Sequence, residues 1–268
     1  MAFASATSRL SPNSLGALIF DVDGTLADTE EVHRTAFNRA FAERGLDWNW
    51  SVAQYRELLL VAGGKERIHA FWRSIDPEAA DRPESATIVG ELHALKTRHY
   101  EALLAEGAVP LRPGVLRLIE AARKAGMPIG IATTTTPANL DALLKPKLGA
   151  DWRSLFAVIR DGATDPIKKP APDVYLSVLR VLGLPAHRTL AFEDTHNGLT
   201  AATAAGIPVL VAPTDYSAGQ DFSQALIVLP HLGDPDVPLP QPLPVTGRRW
   251  VDLEFLEALH HGAIIEAA

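Results

Sequence analysis

The stretch Leu18-Ile19-Phe20-Asp21-Val22-Asp23-Gly24-Thr25-Leu26 constrains this chain more than any other. Its short apolar run reads as a buried strand, and two carboxylates and then a glycine follow at its carboxyl end. Two acids one residue apart, where a buried strand gives way to a loop, are costly to keep charged unless a cation sits on them. A divalent metal ion meets that need.

Behind the loaded strand the chain is helical for a long way. Apolar residues recur at helical spacing from Thr29 to about Arg44, where Gly45 ends the helix. Tyr55 to Leu60 forms a short helical piece, Gly63-Gly64 a turn, and Lys65 to Trp72 another helix. Past the turn-like Asp76-Pro77 and Asp81-Arg82-Pro83, a longer helix runs from about Glu84 to Glu106, with Ile88, Leu92, Leu95 and Leu103 as its apolar stripe. A block of helices inserted directly behind a loaded strand reads as a small lid.

Beyond Pro110 helices and short apolar strands alternate, the pattern of βαβ units and a mainly parallel sheet. The strands are Ile129–Ala132, Leu155–Ile159, Thr189–Phe192 and Ile207–Val211, with Leu226–Leu229 as a peripheral addition. Helices fall near 115–126, 140–144, 174–182 and 198–205, and a last one at 251–259. The reading is an α/β fold: a Rossmann-like three-layer core with a mostly parallel sheet and an inserted α-helical cap. The expected division is a flexible tail over 1–14, a core from 15–28 and 107–229, the cap over 29–106, and a proline-rich extension with a short helix over 230–268.

Composition narrows the chemistry. The 268 residues contain no cysteine, which removes disulfides, thiolate metal sites and cysteine nucleophiles. A formal charge of -7 disfavours generic nucleic-acid binding, and no apolar run is long enough to span a bilayer. The first residues lack the basic and long apolar regions of a secretory signal. A monomer in the cytoplasm is expected, or in the chloroplast stroma if the source is a photosynthetic eukaryote, with a small molecule as its partner and neither nucleic acid nor membrane.

Four chemistry-bearing clusters sit at successive strand ends: Asp21 with Asp23; Thr133; Lys168-Lys169-Pro170; and Glu193 with Asp194. Such ends converge in an open parallel sheet. In this order and with these flanks the chain resembles the haloacid dehalogenase-like phosphatase superfamily. Asp21-Val22-Asp23-Gly24-Thr25 matches its first motif, Thr133 its phosphate-binding hydroxyl, Lys169-Pro170-Ala171-Pro172-Asp173 its third motif and Glu193-Asp194 its acidic fourth.

The resemblance implies a division of labour. Asp21 is the expected nucleophile, forming an aspartyl phosphate, and Asp23 the general acid and then base. Mg²⁺ is expected on the Asp21 side chain, the backbone carbonyl of Asp23 and the Asp194 side chain, because a hard cation prefers oxygen ligands. Lys169 is expected to offset repulsion between Asp21 and the phosphoryl group, while Thr133, with Thr134 beside it, holds the nonbridging oxygens. Glu193 and Asn197 are expected just outside the metal ligands, Asn197 bonding to the Asp194 loop. Lys168 and His196 read as surface residues.

The lid sharpens the match. Asp28-Thr29-Glu30-Glu31-Val32-His33, Tyr55-Arg56-Glu57-Leu58-Leu59 and Gly63-Gly64-Lys65-Glu66-Arg67-Ile68 together resemble the xylulose-1,5-bisphosphate phosphatases (CbbY-like proteins) associated with the Calvin cycle. A sugar bisphosphate brings a second dianion, for which Arg56, Lys65 and Arg67 are suited by charge. Glu30 and His33 are candidates for sugar hydroxyls, and Tyr55 for the cavity lining. The alternatives are a β-phosphoglucomutase, a phosphoglycolate phosphatase, or a catalytically inactive binding protein; the last is disfavoured by the presence of every motif residue.

Overall fold

In the computed structural model, residues 14–106 and 109–267 are described, with side chains up to residue 262. The tail expected over 1–14 lies, up to residue 13, outside the described residues. Strand β1 (Ala17–Phe20) is buried on both faces, as its uninterrupted apolar run requires. Leu18 and Phe20 enter one core cluster and Ile19 the other, the alternation of a pleated strand.

The other strands are β2 (Ile129–Ala132), β3 (Val158–Arg160), β4 (Thr189–Glu193), β5 (Val209–Val211) and β6 (Ile227–Val228). They form one six-stranded sheet in the order β3-β2-β1-β4-β5-β6, with every pair parallel. The chain winds outward from β1 through β2 to β3 and then returns to place β4 against the other side of β1. That reversal opens a crevice beyond the carboxyl end of β1, where open parallel sheets hold their ligands. Phe20 and Phe192 stack across β1 and β4 with ring centroids 4.3 Å apart, which locks the two acid-bearing strands in register.

Helices α1 (Glu30–Glu43), α2 (Val52–Leu58), α3 (Gly64–Ile75), α4 (Pro77–Ala80) and α5 (Ser85–Glu106) build the cap between β1 and β2. The single turn α4 occupies residues expected as a turn, started by Asp76, whose side chain accepts from the Ala79 N–H at 3.0 Å. The stripe of α5 is rotated from expectation. Val89, Leu92, Lys96, Tyr100 and Leu104 are buried, whereas Ile88, Leu95 and Leu103 are only partly so. A lysine at a core position hid the true face from a purely apolar count.

Around the sheet lie α6 (Val115–Lys124), α7 (Pro137–Leu148), α8 (Asp173–Leu182), α9 (His196–Ala204) and α10 (Leu253–Ala267). Strand β3 is shorter than expected, because Trp152–Leu155 turn as a 3-10 helix that buries Trp152. The proline-rich segment is irregular as expected, yet it is a strap and not a free linker. Leu232, Leu239 and Leu243 are buried in the main core, and Arg117 donates to Asp234 at 2.9 Å, Gly233 O at 2.6 Å and Val251 O at 2.9 Å. Burial of three leucines is worth at most about 1.5–3 kcal/mol each, enough to hold a loop against its entropy. No helix of the described residues is long and apolar enough to cross a membrane.

Candidate active site

Asp21 leaves the carboxyl end of β1 with its side chain almost fully buried. The Lys169 ammonium donates to Asp21 Oδ1 at 2.6 Å, to Glu193 Oε1 at 2.6 Å and to the Ala132 carbonyl at 2.9 Å. Its three donors are thus all used, one each on β1 or its loop, β4 and β2, so a single cation ties the three central strand ends together. Tyr175 on α8 adds a short hydrogen bond to the same Glu193 oxygen.

Burial pulls the lysine's pKa down, but Asp21 and Glu193 outweigh it and hold the ammonium charged. The acids fare differently. Burial, reinforced by Glu193 and Asp23 and opposed by Lys169, pushes Asp21 up to about 8. Burial also raises Asp194, with Asp21 and Glu193 adding to it. Three carboxyl groups therefore face one ammonium, with Arg112 as a further cation acting on Asp194, and ionising all three calls for more positive charge.

The geometry agrees with that deficit. One oxygen from each of Asp21, Glu193 and Asp194 lies within 4.8 Å of the others, and Asp194 Oδ2 is buried with no hydrogen-bond partner. An all-carboxylate donor set with an orphaned oxygen fits a hard divalent cation. Gly24 is required here: its φ is +82°, and a Cβ would run into the Asp194 carboxylate. Thr25 Oγ1 meets the other oxygen, Oδ1, at 3.3 Å.

Asp23, two residues beyond Asp21, turns its carboxyl toward the cap. Thr29 Oγ1 donates to Asp23 Oδ1 at 2.7 Å, and His33 Nε2 lies 3.0 Å from the same oxygen. Behind the imidazole, Lys96 Nζ is 2.6 Å from His33 Nδ1. An ammonium donating to Nδ1 leaves the ring proton on Nε2, directed at Asp23. Tyr100 stacks on His33 at 4.2 Å, and Lys96 sits over the rings of Tyr100 and Phe37 at 4.7 and 5.2 Å. Burial draws Lys96 down to about 8. Burial also tends to raise Asp23, but His33, Thr29 and Lys96 override it and hold the carboxyl well below the usual range.

A cavity of about 120 Å³ lies between these two groups. Asp21, Asp23, Glu30, His33, Arg67, Thr133, Thr134, Lys169, Glu193, Asp194 and Asn197 line it, so most of the residues singled out in the sequence converge. Tyr55 stands behind the wall, donating to Glu30 Oε2 at 3.0 Å and accepting from Arg67 at 3.0 Å. Arg56 lies over the Tyr216 ring, 5.9 Å from its centroid, and Lys65 is exposed; neither lines the cavity.

Several expectations need correction. Glu193, expected just outside the metal ligands, offers an oxygen to the acidic cluster itself. Asn197 does not bond to the Asp194 loop; its amide donates across to the Leu60 carbonyl of the cap at 3.0 Å. Lys168 is not a free surface lysine, since its ammonium meets the Gly162 carbonyl at 3.2 Å and is half-buried. Sequence reasoning missed Thr29, His93, Lys96 and Arg112. The signal for Lys96 was its place in the i, i+4 series Leu92–Lys96–Tyr100–Leu104. Arg112 carried none: it donates to the carbonyls of Gly24, Ala212, Pro213 and Pro230, joining the acidic loop, the β5 end and the C-terminal strap.

This constellation has known counterparts. The family profile of haloacid dehalogenase-like hydrolases matches residues 15–206. A protein named CbbY (plasmid) from Cupriavidus necator is 60% identical over 94% of this chain and 99% of its own length. The chain belongs to the haloacid dehalogenase-like hydrolases, in their CbbY-like family. A CBBY-like protein of Arabidopsis thaliana is 37% identical over 82% of this chain and 70% of its own. Among solved structures, a mutant CbbY from Rhodobacter sphaeroides in complex with xylulose 1,5-bisphosphate aligns with a TM-score of 0.75 at 43% identity, covering 81% of this chain and 94% of that one. The CbbY-like family thus supplies relatives for both the sheet and the cap.

Proposed function

We propose that this protein is a Mg²⁺-dependent phosphatase that removes the 1-phosphate of xylulose 1,5-bisphosphate and leaves xylulose 5-phosphate. The observation that carries the reading is the pairing of Asp21 with Lys169 beside a cation-deficient acid cluster, across a small cavity from an Asp23 backed by His33 and Lys96. The Rhodobacter relative in complex with that sugar bisphosphate supports the substrate.

Asp21, Glu193 and Asp194 are the side chains that would hold Mg²⁺, which when bound supplies charge neutralisation for phosphate and carboxylate oxygens. An Asp21 oxygen attacks phosphorus; its new P–O bond forms as the bond to the sugar C1 oxygen breaks. Lys169, held at 2.6 Å from Asp21, offsets the repulsion between the two anions. Thr133 and Thr134 hold the nonbridging oxygens from the end of β2.

Asp23 donates the proton that the departing alkoxide takes up. Its low pKa is compatible with that role, because the His33 Nε2–H already points at it and Lys96 stands behind to reprotonate the ring. Proton passage along this line leaves Lys96 neutral and Asp23 briefly protonated. In the second half Asp23, ionised again, removes a proton from the water that attacks the aspartyl phosphate, and inorganic phosphate departs.

The test is Mg²⁺-dependent phosphate release from xylulose 1,5-bisphosphate, ribulose 1,5-bisphosphate, phosphoglycolate and β-glucose 1-phosphate, with Asp21→Asn as control. Strong preference for the xylulose compound, lost in the control, is expected. Preference for phosphoglycolate, or glucose 6-phosphate formed from glucose 1-phosphate, overturns the substrate assignment.

A further inference from the structure

His93 is a cavity group to which the phosphatase scheme gives no task. It lies on α5 three residues before Lys96, on the same helical face, and lines the cavity. Its edge packs against the start of α3 so closely that a Cβ at Gly64 would sit 2.8 Å from Cδ2 and Nε2. The second glycine of Gly63-Gly64 is therefore needed to seat this imidazole. Among the described residues neither ring nitrogen has a hydrogen-bond partner, and its backbone carbonyl accepts from Thr97 Oγ1 at 3.0 Å.

The surroundings are cationic. Lys65 comes from α3, Lys96 from α5, His33 from α1 and Lys168 from the loop before α8, and all of them disfavour a charge on His93. The Glu66 carboxylate folds over Gly63. No side chain caps the start of α3, and Ala62, Gly63 and Gly64 line the same wall. Burial first, then these cations, hold the ring pKa at about 4, so the imidazole is neutral at neutral pH.

The cations first suspected for a second phosphate are otherwise engaged or placed. Arg56 lies over Tyr216 outside the cavity, Lys65 is exposed and outside its lining, and Arg67 donates to Leu58 O at 3.1 Å, Val61 O at 3.3 Å and Tyr55 Oη at 3.0 Å. We propose that His93 binds the second phosphate of a sugar bisphosphate, taking up a proton as that dianion enters, and so selects bisphosphates over monophosphates. This rests on the sugar-bisphosphate reading of the site. A histidine suits the position better than a lysine, because a permanent charge there would repel Lys96, which must begin each turnover protonated behind His33. The dianion supplies the missing counter-charge, and the proton comes from solvent.

The experiment compares wild type with His93→Gln, both with Mg²⁺, on xylulose 1,5-bisphosphate and on xylulose 1-phosphate. Loss of a charge-assisted hydrogen bond should cut the bisphosphate-to-monophosphate ratio of kcat/KM about tenfold or more, chiefly through KM. In parallel, calorimetric titration of Asp21→Asn protein with the bisphosphate, in buffers of different ionisation enthalpy near pH 7, should show net proton uptake that disappears when His93→Gln is added. A folded His93→Gln enzyme with the wild-type ratio, or equal proton uptake in both proteins, overturns the assignment of His93 and leaves the substrate reading standing. A wild-type enzyme that handles the monophosphate as well as the bisphosphate overturns the substrate reading itself. If His93→Gln fails to fold, absence of proton uptake in the Asp21→Asn protein alone still refutes the proposal.

Discussion

The two walls of the cavity are charged in opposite senses and balanced in different ways. The core wall sets Asp21, Glu193 and Asp194 against Lys169, with Arg112 further off acting on Asp194, and Asp21 and Asp194 are still pushed up. The cap wall sets His33, Thr29 and Lys96 around Asp23, whose pKa is pushed down. Two carboxylates separated by one residue, Asp21 and Asp23, therefore live in opposite environments, because consecutive odd positions around a sharp loop are delivered to different domains of charge. Such a split is how one site obtains a nucleophile and an acid–base group from the same residue type.

The comparison breaks most completely at the core wall. Replacing Lys169 with Met leaves the buried acids without their ammonium, so phosphate release should fall by at least about 10³-fold and stability by roughly 3–5 kcal/mol. Steady-state assays and denaturant unfolding read the two effects. A Lys169→Met protein with near wild-type turnover would contradict the charge account.

The next effect is a pH dependence of the metal-free protein. Asp21 is raised to about 8 and Asp194 is raised as well, so between the unfolded carboxylate range near 4 and that value the native state holds protons that the unfolded chain has released. Stability then falls as pH rises through this window. Thermal melts in chelator should drop from pH 5 to pH 8, and added Mg²⁺ should restore most of the loss at pH 8. Melts that rise with pH in chelator would be the opposite of what the core wall predicts.

At the cap wall, Lys96 carries a pKa drawn down to about 8, so the donor behind His33 is present below that pH and lost above it. The kcat profile should decline on the alkaline side near pH 8, and Lys96→Met should lower kcat by about 10²-fold across the range. A Lys96→Met profile that keeps the wild-type alkaline limb would assign the limb elsewhere. Smallest of all is Tyr55→Phe, which removes one hydrogen bond to Glu30 and one acceptor for Arg67. About 1 kcal/mol, or roughly fivefold in kcat/KM with little change in fold, is expected.

Much of this was legible because it is local. The strand carrying Asp21, the Ile129–Ala132 strand leading to Thr133, and the acid pair closing β4 all announce themselves through a run of apolar residues and the polar groups at its carboxyl end. The burial of Lys96 had a local signal in the Leu92–Lys96–Tyr100–Leu104 series, but its role had none, because only α1 supplies the His33 partner, 63 residues earlier in the chain. The proline-rich segment was readable as irregular, but its buried leucines were not, since nothing within 230–244 says which surface will cover them.

By itself the sequence determined the order of strands and helices, the loaded loop after β1 and the set of motif residues, because periodicity and turn chemistry act between neighbours. Tertiary structure alone decided which face of α5 looks inward, that Glu193 joins the acidic cluster, and that Asn197 reaches Leu60 instead of the Asp194 loop. Those choices depend on charge balance and packing between segments up to more than a hundred residues apart, as for Asn197 and Leu60 with their separation of 137. Such energies exist only once the sheet and cap have brought the groups together.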